Sequence, residues 1–122
     1  MSGVTKHIFE HELDDILSMW NTEIKSVTPL LPRKYTKADI IALLKYYYPH
    51  EWQSVESKYK YYRTKDKYLK RRFGKSRYNM SEPELLIQRV SAFKKIFSES
   101  YKYAHWNAYS ERNRVDSSVK LW

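Results

Sequence analysis

The sequence contains no cysteine. That excludes a disulfide framework, a thiolate metal site and a thiol nucleophile. Glycine occurs twice and proline four times in 122 residues. So little turn chemistry argues against an all-β fold, and a glycine-rich phosphate loop has no residues to build it. No run approaches the roughly 18 consecutive apolar residues of a membrane-spanning helix. Residues 1–24 lack the basic start and apolar stretch of a secretory signal. The expectation is an intracellular protein, cytoplasmic or nuclear, with no membrane contact. Internal repeats and nucleophile–base motifs are also absent from the sequence.

What is present is charge and aromatic mass. Twelve Tyr and four Trp stand among the 122 residues, and the formal net charge is +9. The length fits a single helical domain over 1–122, with 1–6 and 111–122 as flexible termini. The charge is concentrated. Residues 1–24 carry one Lys and five acids. Residues 58–77 carry ten bases and one acid, Asp66, so twenty residues account for the whole net charge. A block of that kind reads as an electrostatic footprint for a polyanion.

Apolar spacing predicts an all-α fold: a small compact bundle of about four helices, the last two long and antiparallel. The first helix covers His7–Ile24, with Ile8, Leu13, Ile16, Leu17, Trp20 and Ile24 on one face. Thr36 and Asp39 form a capping box that opens the second, which ends near Tyr47 ahead of Pro49. The third runs about Pro49–Phe73, with Trp52, Val55, Tyr59, Tyr62, Leu69 and Phe73 as its apolar stripe and Gly74 as its stop. The fourth opens at Ser81 with a capping box to Glu84 and reaches Tyr109 or beyond. Its stripe is Leu86, Val90, Phe93, Phe97, Tyr101, Ala104 and Ala108.

On a wheel of 100° per residue, Lys58, Tyr61, Lys65, Tyr68 and Arg72 lie on a second face of the third helix, beside the apolar stripe. Cations neutralise phosphates and release counterions, and tyrosines stack on unpaired bases or bond phosphates. The candidate nucleic-acid-binding residues are Lys58, Tyr61, Lys65, Tyr68, Arg71, Arg72, Lys75 and Arg77. Arg63, Lys60, Lys67 and Lys70 flank the other side. Asp66 falls on the apolar stripe and needs a partner: Arg63, Lys70 or a tyrosine hydroxyl.

Other constellations are weaker. His7 and His11 share a face with Asp14 and Asp15 one turn on, but a solvated acidic face accounts for them better than a metal site. His50 and His105 stand alone. Tyr46, Tyr47, Tyr48 and Trp52 bracket Pro49, as core packing where two helices meet. Trp106, Tyr109 and Trp122 fall off the apolar stripe and are candidates for a protein-partner contact. With no catalytic set, cofactor motif or metal set, the expectation is a non-enzymatic domain binding DNA or RNA. The alternative is a protein-interaction module, an inhibitor or adaptor that docks on a nucleic-acid-processing protein.

Overall fold

The computed structural model of the chain describes residues 2–108, with side chains from Lys6 onward. Every regular element among them is helical. Helix α1 spans Ser2–Val27, and a 3₁₀ turn follows at Thr28–Leu30. Helix α2 spans Lys37–Tyr47, α3 Pro49–Phe73, and α4 Pro83–Leu86. A second 3₁₀ turn, Ile87–Arg89, leads to α5 at Ser91–Ile96. A sixth helix, α6, covers 99–108.

Helix α1 is the spine, packed against both α2 and α5. Phe9, Ile16, Trp20, Ile24 and Val27 are buried, at spacings of seven, four, four and three. Ile8 points outward instead, because Phe9 sits a full seven residues before Ile16 and takes the inward position. Pro29 sits in the first turn of the 3₁₀ segment and ends the α-helical ladder. The buried Thr28 hydroxyl donates to the Ile24 carbonyl at 2.5 Å.

The α2 capping box forms as its spacing predicts. Thr36 Oγ1 accepts the Asp39 N–H at 3.3 Å, and Asp39 Oδ2 accepts the Thr36 N–H at 2.7 Å. Ile40 and Leu44 then point into the core. Tyr48 joins α2 to α3, and Pro49 occupies the first turn of α3. Trp52 and Val55 are buried, with Trp52 meeting Trp20 at a ring separation of 5.5 Å. Tyr48 packs against the core, whereas Tyr46 and Tyr47 are exposed and meet edge to face at 4.9 Å. Only half of that aromatic cluster is therefore core.

Farther along α3, a second apolar cluster joins Phe9, Tyr62 and Tyr78, flanked by Leu13, Leu69 and Met80. Phe73 lies beyond it and is 66% exposed, so the apolar stripe stops at Leu69. Gly74 ends the helix at φ 78°, a left-handed conformation that glycine adopts without strain, and its N–H returns to the Lys70 carbonyl at 2.8 Å.

The expected long fourth helix is replaced by a broken run. The chain is extended at Val90 (φ −71°, ψ 134°) and interrupted again near Phe97. The cause lies in which side chains are buried. Leu86, Ile87, Val90, Ala92, Phe93 and Ile96 all are, and one straight helix would spread them over more than one face. Breaking at Val90 lets both runs reach the core. Asn21 of α1 then accepts the Ala92 N–H at 2.9 Å and serves the first turn of α5 from outside. The capping box at Ser81 does not form. Glu82 holds the N-cap position without a side-chain bond, and Glu84 pairs with Lys45 at 3.3 Å. The long antiparallel pair is accordingly absent among the described residues: α3 meets α4, which is four residues long.

Candidate nucleic-acid interface

The second half of α3 extends past the main core, so cations on several of its sides reach solvent. Tyr61 and Tyr68 are each 54% exposed. Arg71, Arg72 and Lys75 are exposed, while Lys58, Lys65 and Arg77 are half-buried. Among the described residues two ion pairs form, Lys45 with Glu84 and Lys58 with Glu12, the latter at 3.9 Å. Among the described residues, Lys58 is thus the one of the ten cations in 58–77 with a carboxylate partner within 4 Å.

Six of the eight candidate residues lie on α3 and divide into two groups. Lys58, Tyr61 and Lys65 line a cleft of about 520 Å³ between α3 and α1, closed on the α1 side by Ile8 and Glu12. Lys65 Nζ stands 4.6 Å from the centre of the Tyr61 ring, a cation–π distance. Interaction with the neighbouring Tyr61 hydroxyl pushes the Lys65 ammonium above the usual lysine range. Tyr62 lies at the base of this cleft and donates its hydroxyl to Glu12 Oε2 at 2.8 Å. Burial first, and then that bond, hold the Tyr62 phenol well above the ordinary tyrosine range. Tyr68, Arg71 and Arg72 lie outside this cleft, farther along the same helix. The Arg72 guanidinium stands 5.7 Å from the exposed Phe73 ring.

Arg77 returns toward the middle of α3 through Asp66. The Asp66 carboxylate accepts the backbone N–H groups of Arg77, Tyr78 and Asn79 at 2.8, 2.9 and 2.6 Å. Among the described residues, neither Arg63, Lys70 nor a tyrosine hydroxyl partners it. The acid on the apolar stripe anchors the connection after Gly74. Beside this anchor, Arg63, Lys67 and Lys70 line a smaller cleft of about 240 Å³ with Ser76 and Asn79. By spacing these cations read as flanks of the α3 face, and Asp66 is the one sequence signal for the fold-back. Glu12, the acid that reaches α3, carries no such signal. Glu10, Asp14 and Asp15 of the same segment are exposed.

The other candidates fall as follows. Trp106 is half-buried, with the Arg33 guanidinium 3.6 Å from its ring centre, and is not a free exposed aromatic. Tyr109 and Trp122 lie outside the described residues. His7 and His11 are exposed, and among the described residues no three His, Asp or Glu side chains gather as a metal site. His105 Nε2 lies 3.0 Å from the Pro32 carbonyl. Among the described residues, no helix is long and apolar enough to cross a membrane.

No family model matches the chain, and no solved structure does. Among curated proteins the chain is similar to one from Cytobacillus dafuensis, provisionally named cyclic ADP-D-ribose synthase TIR2, with 26% identity over 99 residues. The aligned stretch covers 81% of this chain and 26% of that protein, so the chain spans about a quarter of its relative's length.

Proposed function

We propose that the chain is a non-enzymatic nucleic-acid-binding domain that uses the second half of α3, and the connection after it, to contact a phosphate backbone. The observation that carries the reading is the pairing of its cations. Nine of the ten bases in 58–77 have no carboxylate within ion-pair distance among the described residues. Uncompensated cations clustered on one helix repel one another, and a polyanion relieves that repulsion while releasing its own counterions. Tyr61 and Tyr68, exposed among the cations, add stacking surface, which favours single strands or RNA over a regular duplex.

The test is an anisotropy titration of labelled single-stranded DNA, duplex DNA and RNA at two salt concentrations. Neutralising about four phosphates of a single strand predicts roughly a 50-fold loss of affinity between 50 and 200 mM salt. Binding that ignores salt, or no binding at low salt, overturns the reading.

A second reading is a protein-interaction module, an adaptor that works against a larger protein. What favours it is the likeness to one quarter of a longer protein provisionally named as a cyclic ADP-D-ribose synthase. Nuclease treatment separates the two. A stoichiometric protein complex that survives nuclease supports the adaptor, and one lost with nuclease supports nucleic acid.

A further inference from the structure

At the other end of α1 the chain builds a further cavity. The connection at 31–36 and helix α6 form its walls, and two polar contacts fix the connection, one to the last residue of α5 and one to α6. The Tyr35 hydroxyl donates to the Ile96 carbonyl. His105 Nε2 donates to the Pro32 carbonyl at 3.0 Å, which fixes the proton on that nitrogen. Tyr35 also meets Phe97 and His105 edge to face, at 5.5 and 5.2 Å. The cavity between these walls measures about 500 Å³, within the range of small-ligand sites.

Its lining combines two chemistries. Arg33, Lys34 and Lys102 supply three cations, and Tyr35, Tyr103 and Trp106 supply three rings, with Glu99 as the single acid. Cations alone would be satisfied by water, and rings alone would select a neutral apolar guest. Together they suit a ligand with a flat ring at one end and an anion at the other. The Arg33 guanidinium rests 3.6 Å from the Trp106 ring centre, so that cation is held in place before any ligand arrives. Glu99 accepts hydrogen bonds, which suits hydroxyl or amino groups, and its charge opposes a bare polyanion.

We infer that this cavity binds a nucleoside 5′-phosphate, with the base against Tyr103 and the Arg33–Trp106 stack and the phosphate against Lys34 and Lys102. The site is separate from the α3 cleft. Glu12 borders that cleft and Val27 ends α1 just before this one, about 22 Å apart along the helix. The ligand chemistry has two sources, a free mononucleotide or the 5′-phosphorylated end of a strand.

Calorimetry on the full chain tests the site. Adenosine 5′-monophosphate is expected to bind at least tenfold more tightly than adenosine or inorganic phosphate. Lys34→Gln with Tyr103→Ala, two exposed positions, is expected to weaken it at least tenfold with the far-ultraviolet spectrum unchanged. Arg71→Gln with Arg72→Gln should leave it unaltered, which keeps this site distinct from α3. Competition by a 5′-phosphorylated oligonucleotide, and none by the unphosphorylated one, assigns the strand end. Failure of both to compete assigns the free nucleotide. Equal binding of inorganic phosphate, no heat at about 1 mM nucleotide, or an undiminished double variant overturns the inference.

Discussion

Asp66 Oδ1 accepts the Tyr78 N–H at 2.9 Å, twelve residues along the chain. The same carboxylate takes the N–H groups on either side, from Arg77 and Asn79. It thereby delivers Tyr78 to Phe9 and Tyr62, at ring separations of 5.1 and 4.8 Å. Asp66→Ala strands three backbone donors and is expected to destabilise the fold by about 1.5–3 kcal/mol, the range for bonds to a charged group. Asp66→Asn keeps one carbonyl oxygen and should lose less. Urea unfolding measures both, and a loss below about 0.5 kcal/mol for the alanine variant would remove Asp66 as the anchor.

Glu23 gives the fold a pH dependence. Its side chain is 7% exposed, and Oε2 has no hydrogen-bond partner among the described residues. Burial first, then the charge of Glu51, push its carboxyl up to about 7. Between the ordinary carboxyl range and pH 7 the native state holds a proton that the unfolded chain has released. Stability therefore falls as pH rises through that window, by something on the order of 3 kcal/mol, and is flat above it. Glu23→Gln is expected to raise stability at pH 8, to leave it nearly unchanged at pH 4, and to flatten the slope between. Parallel slopes for both proteins in urea melts across that range would contradict the assignment.

The contrast between α3 and the run after it shows what the sequence makes legible. Pro49, the single apolar stripe and Gly74 all agree on α3, so its boundaries can be read directly. Thr36 with Asp39 opens α2 for the same reason, because a cap is a local bond between near neighbours. Residues 81–108 carry equally good local signals for one long helix. They lose to burial from outside, where Ile87, Ala92 and Ile96 are drawn into the core of α1 and Asn21 supplies the α5 cap. The cations of the α3 face were legible from charge and spacing. Their acid neighbour Glu12 was not, since it depends on how two helices pack fifty residues apart.

That packing yields a prediction for the α3 cleft. Glu12 lies 3.9 Å from Lys58 and would repel an approaching phosphate. Deleting α1 to remove it would also remove Trp20 and Ile24, both fully buried, so a point substitution is the informative change. Glu12→Gln keeps an oxygen to accept the Tyr62 hydroxyl and removes the charge. Oligonucleotide affinity at low salt is expected to rise roughly threefold to fivefold, the scale of one partly screened charge. Anisotropy titration reads it, and an unchanged or weakened affinity with the fold intact would place the nucleic acid away from this cleft.

The reading of α3 as a phosphate-binding helix is tested most directly by Lys65→Gln, Arg71→Gln and Arg72→Gln together. Arg71 and Arg72 are exposed and Lys65 is half-buried, so helix content should survive, with circular dichroism as the check. A merely solvated lysine-rich face would lose nothing on substitution. Three phosphate contacts would instead lower the salt slope of single-strand binding by about 2, because each neutralised phosphate contributes roughly 0.7. Tyr68→Ala separates stacking from charge. Base stacking is worth about 1–3 kcal/mol per aromatic, so this change should weaken single-strand binding while leaving the salt slope in place. Loss of slope in the triple variant with retained slope in Tyr68→Ala is the pattern that cations on the backbone and a ring on the bases require. An unaltered slope in the triple variant would show that these three side chains touch no phosphate.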